Sequence, residues 1–148
     1  MQIRKTNVNL TENCVENEKG VFEVNKFQEM YQAKCKSPEE VAMYVKSGDV
    51  CACPTGLEEP TAICEAVAAR AMKGELTGVV HHATLSVKGG PFMKPELKGK
   101  YEYVSWFTGG PGRKGIQEGI HTYIPCNYST IPSYWTEIQP RLDVFYAE

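Results

Sequence analysis

The sequence predicts an α/β fold, an open and mostly parallel sheet with helices on both faces. Three observations predict it. Short β-rich runs alternate with helical patterns, these runs are entered and left through short Gly or Pro loops, and one long helical pattern is rich in alanine, which lets a helix lie close against a sheet. At 148 residues and 42% hydrophobic, the chain is sized for one globular domain with a core of its own.

Residues 1–24 are polar, with Asn7, Asn9, Asn13, Asn17 and Gly20 among scattered valines and no helical or strand period, and read as a loosely ordered arm. Phe27, Met30 and Tyr31 fall at i, i+3, i+4 and predict a short amphipathic helix. Residues 1–36 are therefore expected to be an arm and short helix, ahead of an α/β domain at 37–148. That domain opens on Ser37-Pro38-Glu39-Glu40, a serine N-cap, a proline at the first helical position and a glutamate that completes a capping box. Val41, Tyr44 and Val45 are expected to face the core, and Gly48 to end the helix.

Asp49 to Cys53 reads as a strand emptying into Pro54-Thr55-Gly56, after which Glu59-Pro60 opens the alanine-rich helix from Thr61 to Lys73. Gly78–Leu85 and Tyr101–Thr108 are two further strands, separated by a stretch rich in Gly and Pro. After Gly109-Gly110-Pro111-Gly112 come a short helix from Arg113 to Gly119, a strand from His121 to Pro125, a loop through Pro132 and Trp135, and a last strand from Asp143 to Ala147. The chain stops at the edge of that apolar strand, which reads as a domain truncated at its C-terminal end.

Sixteen basic and eighteen acidic side chains give a net charge of −2, with no electrostatic footprint for nucleic acid. No apolar run is long enough for a membrane span, and no secretory signal follows Arg4 and Lys5, so a cytoplasmic protein is expected. The six cysteines read as free thiols. Cys51-Ala52-Cys53 sets two thiols on one strand face rather than in a zinc-binding pair, and neither a metal nor a bound cofactor is expected.

Ligands of open parallel sheets bind at the carboxyl ends of the strands, where the strand order reverses. Two loops fall at such ends. The first, with Thr55, Gly56, Leu57 and Glu59, offers backbone N–H groups to an oxyanion or carboxylate, or is an ordinary turn into a helix. The second, with Gly109, Gly110, Gly112 and Arg113, lets backbone approach a ligand while the guanidinium binds phosphate or carboxylate; Gly-rich turns without a ligand are also common. Glu118 stands five residues from Arg113, off the favoured spacing for pairing, and is either its loose partner or a solvated carboxylate. His81 and His82 are adjacent on a strand, face opposite sides and cannot serve one site; each is either functional or packed and hydrogen-bonded. The aromatic residues of the second half form either a stacking surface or core.

The ordered set Ser47-Gly48-Asp49, Glu59-Pro60, His81-His82-Ala83-Thr84-Leu85, Trp106-Phe107-Thr108, Arg113, Glu118-Gly119 and Pro125 resembles the N-terminal half of the acetyl-CoA hydrolase/transferase family, with bacterial short-chain CoA-transferases as the nearest look-alikes. The resemblance covers residues 37–148. It implies half of a two-domain enzyme that moves coenzyme A between a short-chain acyl-CoA, such as butyryl- or 4-hydroxybutyryl-CoA, and a carboxylate such as acetate. The nucleophilic glutamate is then expected beyond Glu148, on a C-terminal domain or second chain, and no residue here is catalytic. The implied substrate-facing set is Thr55, Gly56, Leu57, Glu59, His81, Gly109, Gly110, Gly112, Arg113 and Glu118. The coenzyme A thioester is a substrate rather than a bound cofactor, and a homo-oligomer is expected from an unpaired sheet edge. The alternative is a non-catalytic module of the same fold that binds an acyl-CoA or a carboxylate.

Overall fold

The computed structural model describes residues 14–16, 22–24, 26–138 and 141–147, the first two stretches as backbone alone. The chain divides into two compact units, residues 1–36 and 37–148. In the first, strand β1 (Cys14–Glu16) pairs antiparallel with β2 (Phe22–Val24), followed by helix α1 (Lys26–Lys34). The hairpin corrects the expectation of an arm without strands. Val15, Phe22 and Val24 are β-formers, and three residues a side are too few to show a period. The rest of the predicted arm lies outside the described residues. Helix α1 forms where the 3.6-residue spacing places it, and its Phe27, Met30 and Tyr31 remain exposed.

The second unit opens with α2 (Pro38–Ala42), started as its sequence dictates. Ser37 Oγ accepts from the Glu40 N–H at 3.2 Å, and Glu40 Oε2 accepts from the Ser37 N–H at 2.8 Å. The helix ends earlier than Gly48. Arg70 of the following long helix donates Nη1 to the carbonyls of Ala42 and Val45, which fixes the chain in a turn there. In consequence Val45 is buried while Tyr44 points to solvent, a correction to the three-residue core face expected.

Strands β3 (Val50–Cys53), β4 (Val79–Ala83), β5 (Tyr101–Ser105), β6 (Thr122–Tyr123) and β7 (Val144–Phe145) form one all-parallel sheet in the order β6-β5-β4-β3-β7. Each strand falls inside its predicted run. Helices α3 (Thr61–Met72) and α4 (Gly110–Gln117) provide crossovers, and two 3-10 turns, Pro91–Met93 and Pro95–Leu97, stand in for a helix between β4 and β5.

From β3 to β6 the chain steps in one direction; β7 then returns to lie beside β3. Parallel crossovers are right-handed, so a reversal of direction sends the last connection to the opposite face of the sheet. The core cluster agrees. Cys51, Cys53, Val79, Tyr101 and Tyr103 pack with Ile63, Cys64, Val67 and Ala71 of α3 on one face. On the other, Tyr134 and Trp135 lie against His82 and Trp106. The stretch carrying them, expected to be a loop, is a run of short helical turns: a 3-10 turn (Tyr128–Thr130), α5 (Ile131–Ser133) and a π turn (Tyr134–Ile138). Its Pro132 and irregular apolar spacing concealed it, because Pro is compatible with a first helical turn and a sequence period needs more than one turn to show.

The α3 face is sealed. Leu76, Val67, Val79, Leu97 and Phe92 are at most 1% exposed, and full burial of such side chains stabilises by about 1.5–3 kcal/mol each. Cys35, Cys51, Cys53, Cys64 and Cys126 are free thiols, and no cluster of three or more His, Cys, Asp or Glu among the described residues is placed to hold a metal ion. No helix among the described residues is long and apolar enough to cross a membrane.

Candidate functional site

The reversal between β3 and β7 leaves a crevice at the carboxyl ends of β3 and β4, the position where open α/β sheets take ligands. A cavity of about 320 Å³ lies there. Its floor is Ala52, His82 and the ends of β3 and β4; Pro54, Thr55 and Thr84 form the rim; Trp106, Tyr128, Trp135 and Phe145 supply aromatic walls. Among the described residues no Asp, Glu, Lys or Arg lines it.

His82 is the polar centre of this apolar space. Alternation along β4 turns it away from the α3 face, and Ala52 on one side and Val104 on the other are its register partners. The Trp106 indole N–H donates to His82 Nδ1 at 3.2 Å. An indole nitrogen only donates, so Nδ1 is the accepting nitrogen and the proton of the neutral ring resides on Nε2. Burial holds the His82 pKa down at about 4, so the ring is neutral at physiological pH. Trp135 meets the same ring edge-on at 5.1 Å.

The predicted site residues separate in space. Thr55 is on the cavity rim. Gly56, with φ +68°, makes the left-handed bend that only glycine takes freely, and its N–H, expected to be free for an anion, donates to Leu85 O at 2.9 Å. Leu57 projects into solvent, 84% exposed. Glu59 turns inward instead, 6% exposed, with both carboxylate oxygens unpartnered among the described residues and Oε1 2.9 Å from where a Cβ on Gly90 would stand. Burial raises its pKa, while the Ser86 hydroxyl and the Lys88 charge pull it back. It does not line the cavity.

His81 lies on the sealed face and does not line the cavity. Its Nε2 is 3.3 Å from Cys53 Sγ, its Nδ1 2.9 Å from Tyr101 OH, and Phe92 stacks on it at 4.8 Å. Complete burial holds its pKa at about 3 and pushes the Cys53 thiol up to about 12, so the contact joins a neutral ring to a thiol, not an activated nucleophile.

Gly109, Gly110, Gly112 and Arg113 are no longer a loop once folded: Gly109 is the N-cap of α4 and the other three form its first turn. Gly109 lets α4 approach β4's exit, where an added Cβ would sit 3.3 Å from Ser86 O. Arg113 is exposed, and Glu118 pairs with Lys114 at 3.8 Å rather than with Arg113. None of these lines the cavity. His82, Trp106, Trp135 and Phe145, which line the cavity, are not in the substrate-facing set, although the sequence leaves His82 and the two tryptophans as either functional or core; the available signal is that His82 faces opposite to His81, on the side left to the last crossover.

The chain is thus an open parallel α/β domain with a cavity at its switch point. Residues 18–144 match the acetyl-CoA hydrolase/transferase N-terminal domain, and the chain belongs to that family. The match begins ahead of residue 37, where the resemblance was expected to start. The chain is 32% identical over 125 residues to butyryl-CoA:acetate CoA-transferase of Anaerostipes caccae, covering 80% of this chain and 26% of that protein. It is also 32% identical over 120 residues to succinyl-CoA:cyclohexane-1-carboxylate CoA transferase of Geobacter metallireducens, covering 74% of this chain and 25% of that protein. The chain thus spans about a quarter of the length of these relatives. The crystal structure of RipA from Yersinia pestis has the same fold, with a TM-score of 0.71 at 22% identity, over 82% of this chain and 30% of RipA.

Proposed function

We propose that this chain is the N-terminal part of an acyl-CoA:carboxylate CoA-transferase and that its switch-point cavity receives the acyl group or the accepting acid. The observation that carries the reading is the cavity itself, an apolar space at the strand ends of a domain of this family, with one neutral histidine edge at its floor. CoA transfer through covalent catalysis requires a carboxylate to attack the thioester, donors for the developing oxyanion, and a wall that excludes water from the acyl-enzyme. The cavity provides the wall and, at His82, a donor. No carboxylate is among its described lining residues, and in this reading the nucleophile comes from a further domain or a second chain.

The two relatives are named for acids of different shape, butyrate and acetate in one case and cyclohexane-1-carboxylate in the other, so membership of the family does not choose the acid. Trp106 and Trp135 are the chain's two tryptophans and both line the cavity, so emission excited at the indole edge reports its occupancy. Titration with an acyl-CoA is expected to change that emission saturably, while incubation with butyryl-CoA and acetate yields no acetyl-CoA from this chain alone. An emission unmoved by any acyl-CoA would remove the binding role; acetyl-CoA formed above the protein-free rate would require a nucleophile within these residues.

A further inference from the structure

Resting on the CoA-transferase reading, we infer that the acid handled at this site bears a ring: an alicyclic or aromatic carboxylic acid, its ring among Trp106, Trp135, Tyr128 and Phe145 and a carboxyl or thioester oxygen on His82 Nε2–H. Three observations converge on it. The first is size. A closed apolar cavity of about 150 Å³ already accepts benzene, and this cleft, open on its outer side, offers about 320 Å³. A ring fits with space left for the carboxyl or thioester end, whereas acetate or butyrate leaves most of the apolar wall without contact, and unfilled apolar volume forfeits dispersion.

The second is the wall. Trp106 and Trp135 stand 5.3 Å apart at 40°, and Trp135 and Trp106 each meet Tyr134 at steep angles. These rings are braced by one another and present flat faces without any charged side chain, which suits another ring over a flexible chain. Phe145, 58% exposed on β7, and Tyr128, 69% exposed, leave the outer side of this wall open to an entering group.

The third is the donor. His82 Nδ1 is committed to the Trp106 N–H, and Nε2 has no partner among the described residues and is not among the buried unpartnered atoms. The edge that His82 presents to the cavity floor is therefore an N–H that stays neutral, able to donate to a carboxylate or thioester oxygen without forming an ion pair. An anionic head and an apolar ring meet complementary parts of one site.

The test uses the 148-residue chain and the emission of its two tryptophans, with cyclohexane-1-carboxylate, benzoate, butyrate and acetate as probes. Each further buried methylene is worth about fourfold in affinity, so the ring acids are expected to bind at least about tenfold more tightly than butyrate. Equal or tighter binding of butyrate overturns the inference, as does an emission insensitive to both ring acids. Trp135→Ala removes one wall while Trp106 still reports, and is expected to abolish the ring preference. Nitrogen chemical shifts give a second readout independent of folding variants: Nε2-protonated His82 is required, and an Nδ1-protonated ring overturns the donor assignment. Butyryl-CoA and benzoyl-CoA separate the two levels of the argument. If both bind equally, the ring inference falls and the CoA reading stands; if ring acids bind but neither ester nor free CoA does, the CoA reading falls and the cavity assignment stands.

Discussion

His81 and His82 are neighbours on one strand and occupy opposite chemical worlds. The first is fully buried on the α3 face between Cys53, Tyr101, Phe92 and Tyr146; the second forms the floor of the cavity on the other face, its Nδ1 held by Trp106. Both are neutral for the same reason, burial, yet only one retains a ring edge that a ligand can meet. Under the proposed function, stability and recognition are divided between the two faces of this sheet. One crossover direction closes the first face with a whole helix, and the reversed crossover leaves the second covered only by short turns.

The division is broken most severely by truncating Phe92, which stacks on His81 at 4.8 Å and on Tyr103 at 4.6 Å while 1% exposed. Phe92→Ala is expected to cost about 3–5 kcal/mol, read as a lower urea midpoint, because transfer and cavity terms add in a site ringed by aromatic neighbours. Ligand affinity of the folded fraction is expected to stay unchanged. Equal loss of affinity and stability would show that the two faces are not independent.

The histidines give the next effect through pH. Each has a folded pKa below its unfolded value near 6.5: about 3 for His81 and about 4 for His82. A depressed folded pKa contributes stability that is present above the unfolded pKa and lost as pH falls through the folded one. Each is therefore expected to remove roughly 1.4 kcal/mol per pH unit as pH drops from 6.5 toward 4. Glu59, with a raised pKa, runs the other way, its stabilising contribution lost as pH rises above the ordinary carboxyl range. Thermal midpoints measured from pH 7 to 4 are expected to fall, and His81→Gln to flatten that fall while lowering the midpoint at pH 7. A wild-type midpoint independent of pH below 6.5 would contradict the sealed placement of His81.

Most of the fold was legible in the sequence, since it is written in local rules. The capping box at Ser37, the alanine-rich α3 and the five β-rich runs each depend on residues a few positions apart, and each forms where those residues stand. The strand order was not legible. That β7 lies beside β3 is a contact between residues such as Cys51 and Val144, and nothing local encodes it. The site depends on that order, so the cavity could be placed at the strand ends in general but not on the correct face. Thr55 was found because it follows a strand; His82 and Trp135 were passed over because an aromatic or histidine near a strand reads first as core.

Glycines on the sealed side give effects of smaller amplitude. An alanine Cβ at Gly90 would stand 2.3 Å from the Phe92 ring and 2.9 Å from Glu59 Oε1, with both side chains buried and unable to swing away. The backbone φ there is −64°, so the cost is steric alone. Gly90→Ala is expected to destabilise by about 1–3 kcal/mol. Gly110 has nothing within 4 Å of the corresponding position and lies in the first turn of α4, where Gly110→Ala is expected to be neutral or to gain up to about 1 kcal/mol of helix propensity. A thermal shift of the same sign and size for both would indicate that the Gly90 approach is looser than its geometry.

The smallest effect tests the surface of α4, which the sequence offered as part of the site. Glu118 is half exposed and pairs with Lys114, itself 78% exposed, across 3.8 Å at i, i+4. A pair so solvated is worth about 0.3–0.5 kcal/mol, because water screens the charges and two long side chains lose freedom on meeting. Glu118→Ala is accordingly expected to lower the thermal midpoint by about a degree or less and to leave tryptophan-reported binding of the acid unchanged, since neither Glu118 nor Arg113 lines the cavity. A change in acid affinity beyond about threefold would mean that α4 reaches the ligand after all, and the recognition face would then extend past the β3–β4 crevice to the end of β5.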